Sequence, residues 1–179
     1  DHDLRSRTYW QHLECLNTEE DAREREVVYM DWAIIIPPIT ENNECKFGAI
    51  DVDIYNKPEE LKRIVSEIYK EELPIVPCYS KSGGLHLYVF LKEFTKCSAV
   101  IKYLKSINKK LNIKAKEIFP KQEKLKWNEK KKSFSVGNGI LIPYKSCLWT
   151  DDGRYTKSSN EWIMNDRMET GTIHEFLNW

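Results

Sequence analysis

The stretch "KFGAIDVDIYN", Lys46 to Asn56, constrains this chain more than any other. Ala49, Ile50, Val52 and Ile54 are the apolar content of a buried strand, yet Asp51 and Asp53 stand between them. Side chains at i and i+2 of a strand share a face, so both carboxylates emerge together on one side. Like charges held that close raise each other's pKa unless something positive lies between them. A divalent metal ion is the simplest candidate, and the fold must bring it an open edge of a sheet.

At 179 residues the chain is one domain by size, long enough to bury a core. Its net charge is zero and names no partner. The distribution says more: residues 1–60 hold 15 acidic and 6 basic side chains, whereas 102–132 hold 12 lysines against 3 glutamates. That basic stretch suits a polyanion, or it is a solvated face. The five cysteines, Cys15, Cys45, Cys78, Cys97 and Cys147, are scattered and form no C-x-x-C pair, so no structural zinc is expected. Reduced thiols, the lack of a signal peptide and the lack of an apolar run of about 18 residues point to a cytoplasmic location and no membrane.

Periodicity gives an α+β pattern. A polar extension over 1–30 holds an expected helix at "TEEDAREREVV", with Thr18 as its cap. "WAIIIPP" reads as a short strand. After the acid-bearing strand, "KPEELKRIVSEIYKEEL" starts on a first-turn proline and repeats apolar residues at Leu61, Ile64, Val65, Ile68 and Tyr69, a helix lying on a sheet. "PIVPCY" and "LHLYVFL" are strands, "SAVIKYLKSINKKLNI" is a second helix, and "KEIF", "SFSV" and "GILIPY" are short strands. A last helix is expected near "TIHEFLNW". Strand, helix, strand, strand, helix, strand is the ferredoxin-like, RRM-like layout. The expected division is an extension at 1–30, a core at 31–150 and a helical tail at 151–179. The chain opens on Asp1 rather than Met, so it is expected to be a piece of something longer.

Two further stretches carry chemistry. In "YSKSGGLHLYVF", Ser80 to Gly84 form a turn between strands in which Gly83 and Gly84 let backbone amides face an anion. Lys81, Ser82 and, from the following strand, His86 complete a plausible triphosphate cradle; alternation sets His86 and Tyr88 opposite Leu85, Leu87 and Val89. An ordinary hairpin and a structural histidine are the plainer alternatives. In "KEIFPKQ", Glu117 stands in an apolar strand, as a site acid or as a solvated edge residue.

Taken in order, "PPITENNECKFGAIDVD", "YSKSGGLHLYVFL", "EIFPKQ" and "GNGILIPY" resemble the successive motifs of the archaeo-eukaryotic primase superfamily, specifically primase-polymerase domains of phages, plasmids and conflict systems. The resemblance spans roughly residues 33–145. It implies template-directed nucleotidyl transfer with two magnesium or manganese ions held by Asp51, Asp53 and Glu117, the last being aspartate in many relatives. It further implies that Ser82 and His86 hold the β and γ phosphates of an NTP or dNTP, with Lys81 or Lys121 as counter-charge. Single-stranded DNA would follow Lys124, Lys126, Lys130 and Lys131, with Trp127 stacking on a base or anchoring its loop. A helicase or accessory domain is the expected companion in a full-length protein. The alternative from another class is a non-catalytic RRM-like module binding single strands or a replication origin. A sugar transferase with an Asp-x-Asp metal site is a third reading, and it leaves the Ser-Gly-Gly-Leu-His hairpin unexplained.

Overall fold

A computed structural model of the chain describes residues 35–115, 117–130, 132–144 and 160–178. The expected helix at "TEEDAREREVV", Lys131 and residues 151–159 lie outside them. The apolar run around Ile50 forms β2 (Glu44–Val52), which follows the two-residue β1 (Ile35–Ile36). Helix α1 (Pro58–Lys70) starts on its proline, has Glu59 and Glu60 in the first turn, and buries Leu61, Ile64, Val65 and Ile68. Acids at the N-terminus and Lys70 at the C-terminus both complement the helix dipole. Next come β3 (Val76–Tyr79), β4 (Leu85–Lys96), helix α2 (Cys97–Lys110) and β5 (Glu117–Phe119). Short strands β6 (Trp127–Asn128), β7 (Ser133–Phe134) and β8 (Ile140–Leu141) follow, and α3 (Ile173–Leu177) comes last.

The architecture is mixed α+β with antiparallel sheets. The central sheet has the order β3-β4-β2-β5, with every neighbouring pair antiparallel. β1 pairs with β8, and β6 with β7, as separate two-stranded ribbons. Alternation sends Ile50 and Val52 of β2 and Leu85, Leu87 and Val89 of β4 to the face covered by α1 and α2, where Val100, Leu104 and Ile107 meet them. Each such fully buried side chain contributes about 1.5–3 kcal/mol of burial free energy.

The opposite face has a different cover. Phe47, Ala49, Tyr88 and Phe119 pack beneath Ile140, Ile142, Tyr144, Trp162, Ile173 and Phe176. Residues 161–163 run along β3, with Tyr79 N–H donating to the Glu161 carbonyl and Ile163 N–H to that of Pro77. Through this edge pairing the described part of the C-terminal segment supplies Ile163 to the helix side and Trp162 to the other. Thr172 and Glu175 cap α3 reciprocally. Among the described residues no helix is long and apolar enough to cross a membrane.

Candidate active site

Register assembles the site. Asp51 lies directly opposite His86 of β4 on one side and Glu117 of β5 on the other, and His86 lies opposite Cys78 of β3. Cross-strand partners share a face, so Cys78, His86, Asp51 and Glu117 form one row across the sheet. Burial falls along it, from a fully buried Cys78 through a 6% exposed His86 to partly exposed Asp51 and Glu117. Asp53 follows just past the end of β2 and is exposed.

The electrostatics are those of crowded acids. The Asp51 carboxyl is pushed up to about 6, first by burial, then by the charges of Asp53 and Glu117, with Lys121 opposing. The His86 ring is pushed down to about 4 by burial, against the pull of Asp53. His86 Nε2 stands 3.5 Å from Asp51 Oδ1. With the ring neutral this approach is not an ion pair. On its other side His86 Nδ1 lies 3.0 Å from the Tyr88 hydroxyl, which donates to the Leu141 carbonyl, and 3.5 Å from the Asn160 amide nitrogen.

The two outer carboxylates already have internal partners. Lys121 Nζ sits 2.6 Å from Glu117 Oε1 and over the Phe119 ring. Tyr55 donates its hydroxyl to Asp53, whose charge raises the phenol's pKa, while the neighbouring Ser82 hydroxyl lowers it. Among the described residues no three His, Cys, Asp or Glu side chains converge on one point as metal ligands do. The donor set nonetheless fits a hard cation: three carboxylates border one row, and two of them raise the pKa of the third, a repulsion a divalent ion relieves.

The turn between β3 and β4 differs from expectation in one respect. Gly83 N–H donates to the Ser80 carbonyl, and Gly84 N–H to Ser80 Oγ at 2.9 Å, so both glycine amides are taken up in closing the turn. The glycines serve shape instead. Gly83 has a φ of +88°, and a Cβ on Gly84 would stand 2.3 Å from the Val52 carbonyl oxygen, so only glycine lets the turn lie against the end of β2. Lys81 and Ser82 remain exposed at its rim.

The lysine-rich region forms the β6–β7 ribbon. Trp127 is 48% exposed, with its ring edge-on to Phe134 at 5.1 Å, so one contact anchors it while much of its surface is open. Lys124, Lys126 and Lys130 are exposed around it. A separate open depression of about 460 Å³, lined by Lys102, Lys105 and Glu123 among others, lies over α2 and contains none of the row.

Sequence reasoning missed Tyr55 and Asn160. Tyr55 continues the i, i+2 alternation of Asp51 and Asp53, and extending that pattern by one step would have found it. Asn160 lies 74 residues beyond His86 and carries no comparable signal. The sequence model of one family, described as the archaeo-eukaryotic primase domain of the TOTE conflict system, matches residues 8–152. No curated protein matches the chain.

Proposed function

The chain belongs to the archaeo-eukaryotic primase domain family of the TOTE conflict system, and on that premise we propose that it is a metal-dependent, template-directed nucleotidyltransferase that makes or extends a primer. The observation that carries this reading is the register row itself, with Asp51 between His86 and Glu117 and its carboxyl pushed up by its acidic neighbours. We also read the core as RRM-like, supported by its β-α-β-β-α-β connectivity and the strand order β3-β4-β2-β5.

Asp51, Asp53 and Glu117 would hold magnesium or manganese, hard ions suited to carboxylate oxygen. When bound, such ions lower the pKa of an attacking hydroxyl and neutralise charge at the phosphate under attack. The chain's own part is positioning. Lys81 and Ser82 meet the phosphates of an NTP or dNTP at the rim of a turn that Gly83 and Gly84 shape. Lys121, now on Glu117, stands within reach of both carboxylate and substrate charge. Asp51, the most enclosed of the three acids, keeps the least water around the reacting groups. Lys124, Lys126, Lys130 and Lys131 meet the backbone of single-stranded DNA, and Trp127 stacks on a base. In the cytoplasm the buried thiols of Cys45, Cys78 and Cys97 stay reduced.

A second reading, an RRM-like binder of single strands without chemistry, is favoured by the lack of three converging ligands among the described residues. One assay separates the two. Incubation with single-stranded template, labelled nucleotides and Mn²⁺, with and without primer, is expected to give template-dependent products that vanish in Asp51→Asn. Template binding without product, or product unaffected by that substitution, would favour the second reading.

A further inference from the structure

The network behind His86 determines what its outward nitrogen can do. A phenol has one hydrogen, and that of Tyr88 goes to the Leu141 carbonyl. The 3.0 Å contact between the Tyr88 oxygen and His86 Nδ1 then needs the ring to donate, which places the imidazole hydrogen on Nδ1. The Asn160 amide beside the same nitrogen serves that tautomer with its oxygen turned inward, an orientation equivalent in shape. Burial keeps the ring neutral. Nε2 is therefore a bare lone pair, aimed at Asp51 Oδ1 3.5 Å away.

Two acceptors thus face each other at the acid row, farther apart than a good hydrogen bond. A lone pair cannot donate to a phosphate oxygen, so this tautomer is unsuited to the phosphate contact that the family resemblance implies. It is suited to a cation. Ligands about 2.1 Å from a common ion stand about 3.0–3.5 Å apart at octahedral to tetrahedral angles, and the Nε2 to Oδ1 distance matches the upper end.

We propose that His86 Nε2, together with Asp51, is a direct ligand of the divalent ion, and that Tyr88 and the Leu141 carbonyl are positioning groups that fix the ligating tautomer. The inference rests on the nucleotidyl-transfer reading and assigns one further ligand to its site. A nitrogen donor favours Mn²⁺ over Mg²⁺, since imidazole is a poorer partner for the harder ion. Water and substrate oxygens complete the coordination.

The test uses the whole chain with Mn²⁺ alone and reads nitrogen coupling to the bound ion by pulsed electron paramagnetic resonance. A ¹⁴N coupling of imidazole size is expected, changing to that of ¹⁵N when histidine is ¹⁵N-labelled and disappearing in His86→Gln. Tyr88→Phe should keep the coupling yet weaken Mn²⁺ binding about 10-fold or more, as loss of a group orienting a ligand does. Labelled but unsubstituted protein decides the matter even where His86→Gln fails to fold. Mn²⁺ that binds through Asp51 with no nitrogen coupling overturns this inference and leaves nucleotidyl transfer standing. Mn²⁺ that does not bind, or binds equally well in Asp51→Asn, overturns both.

Discussion

The two faces of the four-stranded sheet follow different plans, although β2 and β4 contribute to both by alternation. On one face Ile50, Val52, Leu85 and Leu87 meet two helices that follow their strands closely in the chain. On the other, the half bearing Ala49 and Tyr88 is covered by residues from 140 onward, and the half bearing His86, Asp51 and Glu117 stays partly open. Packing occupies the first face completely. The second divides itself between packing and chemistry, and the dividing line runs between adjacent rows of the same strands.

The sharpest way to break this contrast is to change one residue on each face. Asp51→Asn is expected to lower nucleotide addition on the order of 10³-fold, the scale at which single electrostatic groups act in such sites. Its stability should hold or rise, because burial and repulsion no longer oppose a charge. Leu104→Ala should do the reverse, costing about 2–5 kcal/mol while the folded fraction keeps its turnover. Extension rates alongside urea unfolding curves check both, and a large activity loss in Leu104→Ala would merge the two faces into one.

Phe176→Ala probes the shared face. Its ring is fully buried among Phe90, Tyr144 and Trp162, so a loss of about 3–5 kcal/mol is expected. Here activity should fall as well, because the same cover includes Tyr144, which accepts at its backbone N–H from no helix but bonds the Asn160 carbonyl beside His86. Turnover per folded molecule, measured at a temperature where the variant remains native, distinguishes this from the Leu104 result.

A third comparison lies within the row. The folded state holds an extra proton on Asp51 between its ordinary 3.8 and about 6, so this group's contribution to stability falls as pH rises through that window. For His86 the unfolded state holds the extra proton between about 4 and the ordinary 6.5, so its contribution rises with pH. The two slopes oppose each other. In Asp51→Asn the histidine slope stands alone, and stability should fall by about 1–3 kcal/mol on acidification from pH 6.5 to 4. In His86→Gln it should instead rise by a similar amount from pH 6 to 4. Parallel slopes in the two variants would mean that neither environment acts as described.

The smallest effects are expected on the β6–β7 ribbon. Trp127→Ala should weaken single-strand binding by about 1–3 kcal/mol if a base stacks there. Changing Lys124, Lys126 and Lys130 to glutamate should flatten the salt dependence by about 0.7 per lost phosphate contact. An unchanged slope would return these lysines to a solvated surface.

The helix face was readable because each of its signals is local. Leu61, Ile64, Val65 and Ile68 announce α1 within eight residues, and Val100, Leu104 and Ile107 announce α2. Alternation likewise put His86 and Tyr88 on one side of β4 and Asp51 on the matching side of β2. Pairing those strands in register was beyond the sequence, since period-2 patterns fix faces but not partners. The covering role of Trp162 and Phe176 was hidden for the same reason, their partners lying far back in the chain. The engaged amides of Gly83 and Gly84 could not be seen in "SGG", which is compatible with both an open anion nest and a closed turn.

The register of β2 also acts as a check on folding. A slip of one residue against β4 would turn Asp51 inward against Ile64 and Leu104 and bring Ile50 out to the open edge. Leaving a carboxylate in that apolar layer costs several kcal/mol, a large part of what a domain of this size has in total. A chain that pairs wrongly therefore cannot settle into a compact, inactive look-alike. The acids that equip the row for chemistry also reject misaligned chains, so any population that survives folding has its site assembled.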